Sequence, residues 1–205
     1  MRNHFSKRAA GCALALACLA HVAGAQNPAP GAQAAPAAPV SSAVANPTYI
    51  TIPMEITVNR PAAEVWKRVG KYCDIGEWLR VACTITSGKD GEVGAIRSLA
   101  GEVLVGRTEL SYTYTQPVRA GRPYNLYHGT LEARPLTATT SKLVYILMYD
   151  NSMLADDAAR ERDIAQKTAQ FTGALENMKI LAEGGTLPPA PARGGGKQPG
   201  AGPGR

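Results

Sequence analysis

The chain has 205 residues, a formal net charge of +6 and a sequence pI near 9.3. The basic excess lies at the two ends, because the stretch 48–183 carries 16 Lys and Arg against 16 Asp and Glu. A nucleic-acid-binding domain carries its own basic patch, so this distribution argues against nucleic-acid binding and against strong attachment to a membrane surface.

The N-terminal residues 1–25 have the pattern of a secretory signal peptide. Arg2, Lys7 and Arg8 precede a short apolar run, which is followed by Ala-Gly-Ala at 23–25. The run is too short to span a bilayer, and no later segment predicts a transmembrane helix. Lipidation of Cys18 is an alternative reading of this segment. The expected location is therefore the periplasm or the extracellular medium.

Residues 26–47 are mostly Ala, Pro, Gln and Ser, which predicts a disordered linker, and residues 184–205 predict a second disordered tail rich in Gly and Pro. One domain is expected over residues 48–183. After removal of the signal peptide only Cys73 and Cys83 remain. They form either a disulfide or two free buried thiols, and they are too few for a zinc site.

The first predicted elements are one strand and two short helices. Residues 49–58 alternate apolar and polar side chains as a half-buried strand does, and Pro53 favours a position at the sheet edge. Asn59 is a candidate N-cap for a helix that ends before Gly70. Residues 72–79 predict a second helix, broken at Gly76. A strand is expected at 81–86.

The remaining pattern is a run of strands and one long helix. Strands are predicted at 95–99, 102–105, 109–116, 125–133 and 141–149, with turns between them. A helix is predicted at 156–182, with one apolar stripe that includes Phe171 and Leu175. The predicted fold class is therefore α+β, with a curved antiparallel sheet wrapped around a long C-terminal helix.

Five segments in this order resemble the START-like, or SRPBCC, superfamily in its polyketide-cyclase and lipid-transport branch. They are ITVNRPAAEVWKRVGKY, EWLRVAC, GEVGAIRSLAG, YHGTLEARP and LENMKILAE. The resemblance covers the whole predicted domain. It implies a helix-grip fold, in which the sheet and the C-terminal helix enclose a cavity for hydrophobic ligands.

Strand alternation predicts which side chains face that cavity, and the resemblance adds Glu102, Tyr127, Gly129 and Leu131 as inward positions. The hydroxyl-tipped tyrosine rings would suit an aromatic or sterol-like ligand. The alternative is that the rings fill the core and bind the backbone through their hydroxyls. The candidate ligand-binding residues are Arg97, Glu102, Tyr112, Tyr114, Tyr127, Gly129, Leu131, Leu143, Tyr145, Leu147, Tyr149, Phe171 and Leu175. Asp150, by contrast, is expected on the outer face.

Arg97 and Glu102 flank a predicted turn, where they form either an ion pair or a polar anchor inside the cavity. A cavity carboxylate would have a raised pKa, which makes Glu102 the candidate catalytic residue. His128 is interpreted as a surface or sheet-packing residue. No hydrolase triad, nucleophile elbow or phosphate loop is present in the sequence, and no metal or cofactor is expected.

The leading hypothesis is an exported protein that binds or transports a hydrophobic or aromatic small molecule, without catalysis. The second is a cyclase-like or lyase-like enzyme in which Glu102 transfers a proton together with Tyr127 or Tyr145. The third is an envelope interaction protein whose cavity is filled. The oligomeric state and the identity of the ligand are left open.

Overall fold

The computed structural model describes residues 44–189. The predicted signal peptide (1–25), the proposed lipidation of Cys18, nearly all of the linker 26–47 and most of the tail 184–205 lie outside the described residues. Within residues 44–189, no helix is long and apolar enough to cross a membrane.

Seven strands and three helices make up the described part of the chain. The strands are β1 (Tyr49–Val58), β2 (Ile85–Ser87), β3 (Ile96–Arg97), β4 (Glu102–Arg107), β5 (Ser111–Thr115), β6 (Asn125–Pro135) and β7 (Ser141–Asp150). The helices are α1 (Ala62–Val69), α2 (Ile75–Trp78) and α3 (Asp157–Ala182).

The strands form one antiparallel sheet in the order β1-β7-β6-β5-β4-β3-β2. β1 lies at one edge, as Pro53 predicts, because proline cannot donate a ladder hydrogen bond there. β1 and β7 pair without interruption from Tyr49↔Asp150 to Val58↔Ser141. Residues Phe171, Ala174, Leu175, Met178 and Leu181 of α3 are buried in the same core as the inner face of the sheet. The predicted α+β helix-grip architecture is confirmed.

Several local predictions were wrong. Asn59 is not the N-cap of α1. The helix begins after Pro61 without a side-chain cap, and the backbone N–H of Asn59 donates instead to Glu183 Oε1 at 2.8 Å. Gly76 lies inside α2 and does not break it. β4 continues through Gly106, where a shift in the β4–β5 register accommodates the extra residue.

Asp150 also differs from the expectation, because its side chain is buried. Its Oδ1 accepts hydrogen bonds from the backbone N–H groups of Thr48, at 2.8 Å, and Ser152, at 3.0 Å. These bonds replace water around the carboxylate and fix the chain at the start of β1 and the end of β7.

Candidate ligand-binding site

All thirteen predicted ligand-binding residues lie in the interior. The alternation on β7 explains this for four of them, since residues 143, 145, 147 and 149 all point toward α3 and are fully buried. Tyr112 and Tyr114 on β5 and Tyr127 on β6 belong to the same core. Strand periodicity therefore identified the buried face correctly.

Most of the tyrosine rings pack against one another. Tyr127 and Tyr149 are stacked with ring centroids 5.6 Å apart, and Tyr145 lies 4.6 Å from Phe171 of α3. The hydroxyls of Tyr114 and Tyr145 share a hydrogen bond of 2.8 Å, so these two groups pair with each other and do not need the backbone. The centre of the domain is thus a packed aromatic core.

One glycine makes this packing possible. Gly129 on β6 stands opposite Tyr114 on β5, and a Cβ atom at position 129 would lie 2.3 Å from the Tyr114 ring. The ring therefore occupies the space that a side chain at 129 would need. Gly129 therefore contributes to core packing, because its missing side chain leaves room for the Tyr114 ring.

Arg97 and Glu102 form a buried ion pair across the β3–β4 turn. Arg97 Nε donates to Glu102 Oε2 at 2.6 Å, and Arg97 Nη1 donates to the carbonyl of Tyr72 at 2.6 Å. The guanidinium also lies between two aromatic rings, 4.3 Å from the Tyr72 centroid and 4.6 Å from the Tyr114 centroid. These contacts compensate for the loss of hydration of the charged pair.

Glu102 is also the start of a polar chain that leads outward. Its Oε1 accepts from Gln116 Nε2 at 2.8 Å, and the hydroxyl of Tyr124 donates to Gln116 Oε1 at 2.7 Å. Burial raises the pKa of Glu102, while the charge of Arg97 and the hydrogen bonds from Gln116 and Arg97 act in the opposite direction.

A pocket of about 270 Å³ remains at one end of the interior, between α2, the β3–β4 turn, β5, β6 and the middle of α3. We call it the grip pocket. Four predicted residues line it: Glu102, Tyr114, Tyr127 and Phe171. The other nine predicted residues are buried but do not line it. Nine further lining residues were not predicted, namely Ile75, Leu79, Leu99, Ala100, Gln116, Tyr124, Gln166, Lys167 and Gln170.

The polar residues from α3 give the grip pocket a mixed lining, whereas the sequence predicted a mainly apolar cavity with Arg97 and Glu102 as its polar groups. A signal for them is present in the sequence. The apolar stripe of α3 contains Ile164 and Phe171 but is interrupted by Lys167 and Thr168, which occupy the helical positions between them. Such a polar break within a buried stripe indicates a place where the helix does not contact packed core.

Lys167 is held at the pocket by Asp163 and by two rings. It forms an ion pair with Asp163, and its Nζ lies 4.7 Å from the centroid of Tyr149 and 5.4 Å from that of Tyr124. The hydroxyl of Tyr149 donates to the same carboxylate at 2.6 Å. The positive charge of Lys167 is therefore already balanced.

A disulfide joins Cys73 to Cys83, with the Cα atoms 5.5 Å apart. The loop that it closes contains α2, whose Ile75 lines the grip pocket together with Leu79. His128 lies on the opposite face of β6 from Tyr127 and Gly129, and its Nδ1 is 2.8 Å from the carbonyl of Leu126. Within residues 44–189, no group of three His, Cys, Asp or Glu residues could hold a metal ion.

Comparison with solved structures identifies the fold. A protein of Thermobifida fusca solved by NMR is 26% identical, with a TM-score of 0.55, over 64% of this chain and 92% of that chain. A Nitrosospira multiformis protein is 22% identical, with a TM-score of 0.50, over 64% and 96% of the two chains. Truncated norcoclaurine synthase from Thalictrum flavum is 13% identical, with a TM-score of 0.50, over 70% and 99%.

No protein-family model matches the sequence, and no curated protein matches it either. The chain has the helix-grip fold that the resemblance to the START-like superfamily implies.

Proposed function

We propose that this protein binds a small molecule with an aromatic or otherwise apolar body in the grip pocket. One observation carries the proposal: the pocket combines an aromatic floor with a polar mouth that reaches the surface. Tyr114, Tyr127 and Phe171 form the buried floor, whereas Gln166 and Gln170 are exposed. Ligand sites commonly have this composition, with apolar walls and a few polar groups that fix orientation.

The volume of the grip pocket limits the size of the ligand. Its 270 Å³ lies just below the range of roughly 300–1,000 Å³ that is typical of sites for drug-sized molecules. The packed tyrosines leave no room for a sterol-like body deeper in the domain. The proposed ligand is therefore a compact aromatic molecule of one or two rings.

The hydrogen bonds already made inside the pocket fix how such a ligand would lie. Both oxygens of Glu102 accept bonds from protein groups, one from Arg97 and one from Gln116. The amides of Gln166 and Gln170, by contrast, lie at the solvent side. The ring of the ligand would therefore face the aromatic floor, and its polar group would face the two amides.

The enzyme hypothesis has weaker support than the binding hypothesis. The helix-grip fold also carries norcoclaurine synthase, so the fold by itself does not separate binding from catalysis. The raised pKa of Glu102 favours a role in proton transfer. Against that role, Arg97 and Gln116 donate to the two oxygens of Glu102, and these bonds stabilise the ionised carboxylate and make it a weaker proton acceptor.

We further propose that binding takes place outside the cytoplasm, in the periplasm or the extracellular medium. The signal-peptide pattern at 1–25 supports export. The disulfide between Cys73 and Cys83 supports it independently, because structural disulfides persist in oxidising compartments.

The test uses 2-naphthol, a compact aromatic molecule with one polar group, and isothermal titration calorimetry. We expect binding that Gln170→Trp reduces at least tenfold, because an indole at this exposed position would fill the mouth. Thr172→Trp is the matched control, since Thr172 is also exposed on α3 but does not line the pocket. Equal affinity in the two variants, or no binding of 2-naphthol together with no co-purifying molecule in native mass spectrometry, would contradict the proposal.

A further inference from the structure

A second and larger recess lies on the other side of Arg97, and α3 takes no part in it. It has a volume of about 390 Å³ and lies between the C-terminal half of α1, the loop at Asp90 and Gly91, and the β4–β5 hairpin. We call it the α1 groove. Its size falls within the range typical of small-molecule sites.

Three aromatic side chains form the inner surface of the α1 groove. Tyr112 is buried, and its ring centroid lies 5.6 Å from that of Trp66 and 5.5 Å from that of Tyr72. Trp66 is partly exposed, so one part of the indole remains open to a ligand. These rings offer a platform on which a planar molecule can stack.

Gly70 keeps the indole of Trp66 in this place. A Cβ atom at position 70 would lie 2.4 Å from Cδ2 of Trp66, and the backbone of Gly70 is not in the left-handed region. The glycine is therefore required for space and not for its conformation. Trp66 folds back over its own helix end and faces the groove instead of pointing into solvent.

The rim of the α1 groove is positively charged. Lys67, Lys71 and Arg107 line it, against one acidic residue, Asp90. Lys67 and Lys71 are exposed, and no ion pair within residues 44–189 includes either side chain. Arg107 donates one N–H to the carbonyl of Gly91, which leaves the other N–H groups of its guanidinium for a ligand.

One residue that lines the same recess has a buried hydroxyl without a partner. Tyr72 lines the groove and is 1% exposed, and its hydroxyl has no hydrogen-bond partner among the described residues. An unpaired buried hydroxyl destabilises a folded protein. A ligand atom that paired with this hydroxyl would remove that penalty.

We infer that the α1 groove is a second binding site and that it takes a small planar aromatic carboxylate. The ring stacks on Trp66 and Tyr112, and the carboxylate lies among Lys67, Lys71 and Arg107. This site is spatially separate from the grip pocket, because the two recesses share no lining residue.

The test uses 2-naphthoate as the probe and NMR of the two indole N–H groups of the protein, which belong to Trp66 and Trp78. Trp66 lines the α1 groove, whereas Trp78 is fully buried beside Tyr145. We expect the chemical shift of the Trp66 indole N–H to change on binding and that of the Trp78 indole N–H to stay the same. A shift of Trp78 alone would place the probe elsewhere and overturn the inference.

Variants then test the role of charge by calorimetry. We expect Lys67→Glu/Lys71→Glu to weaken 2-naphthoate binding at least tenfold. The control Arg60→Glu/Arg162→Glu, which changes the net charge equally at exposed positions outside the groove, should leave the affinity unchanged. We also expect the neutral 2-naphthamide to bind at least tenfold more weakly than 2-naphthoate.

Three results would overturn the inference: no binding of 2-naphthoate at millimolar concentration, equal weakening by both pairs of substitutions, or loss of binding in Gln170→Trp. The last result would place 2-naphthoate in the grip pocket. Failure of 2-naphthol to bind would bear only on the proposed function, so the two hypotheses are tested separately.

Discussion

At the scale of single residues, the contact between Gly129 and Tyr114 shows how the inner face of the sheet is filled. The two residues are partners in the β5–β6 register, and the ring covers the glycine directly. Both are buried, and a shift of the ring would disturb its hydrogen bond with Tyr145. The fit is therefore sensitive to a single methyl group.

We expect Gly129→Ala to lower the free energy of unfolding by about 1–3 kcal/mol, the usual range for overpacking a core. The matched control is Gly106→Ala. Gly106 also lies in a strand, but a Cβ atom there would have its nearest neighbour, Thr113, at 3.9 Å. Urea unfolding of both variants measures the difference. Equal urea-unfolding midpoints for Gly129→Ala and Gly106→Ala would contradict this prediction and show that the Tyr114 ring can move aside easily.

The same pair explains what the sequence could and could not predict about the site. The alternation of side chains along β5, β6 and β7 identified the buried residues, because the buried face of a strand can be predicted from that strand's own sequence. The same alternation could not distinguish side chains that line the pocket from side chains in the packed core. Whether Tyr114 fills the interior depends on Gly129 lying opposite it, and strand register is set by contacts distant in sequence.

At the scale of elements, α2 is the part of the grip-pocket wall that needs external support. It has four residues, which is too few for a helix that is stable alone. The disulfide closes the loop around it, and Asn177 Nδ2 on α3 donates to the carbonyl of Trp78 at 2.9 Å. The predicted helix at 72–79 was too long, since these tertiary contacts set its ends more than local propensity does.

Reduction of the disulfide is expected to lower the free energy of unfolding by about 3 kcal/mol. The reason is that a closed loop of roughly ten residues lowers the conformational entropy of the unfolded chain, which corresponds to about that free energy. Thermal unfolding with and without reductant measures the effect as a fall in Tm. The variant Cys73→Ser/Cys83→Ser should unfold near the Tm of the reduced protein and should not respond to reductant. An unchanged Tm on reduction would show that the bridge does not stabilise the fold.

At the scale of the whole molecule, the described domain encloses an unusual number of phenol groups. The chain has eight tyrosines, and burial raises the pKa of seven of them. These are Tyr72, Tyr112, Tyr114, Tyr124, Tyr127, Tyr145 and Tyr149. The folded protein therefore retains protons that the unfolded chain releases above about pH 10.

The sign of the pH dependence follows from these raised pKa values. Their contribution to the free energy of unfolding is complete below about pH 10 and decreases as the pH rises toward the folded-state values. We expect cooperative unfolding in alkali, in which the ultraviolet absorbance of phenolate rises together with the loss of the circular-dichroism signal. Appearance of most of the phenolate signal while the secondary structure persists would contradict this expectation.

The order of elements was predictable at this scale, and so was the architecture that follows from it. One edge strand, two short helices, a run of antiparallel strands and one long amphipathic helix have few ways to pack. The α1 groove was not predictable in the same way. It depends on Trp66 folding back over Gly70 and on the approach of the β4–β5 hairpin, which are features of the assembled molecule.

Arg97 contacts one lining residue of each recess. Its guanidinium contacts the ring of Tyr72, which lines the α1 groove, and the ring of Tyr114, which lines the grip pocket. A molecule that displaced either ring would change the contacts of the same cation. The affinity of one recess for its ligand would then depend on whether the other recess is occupied. Thermodynamic reciprocity requires each ligand to change the affinity for the other ligand by the same factor.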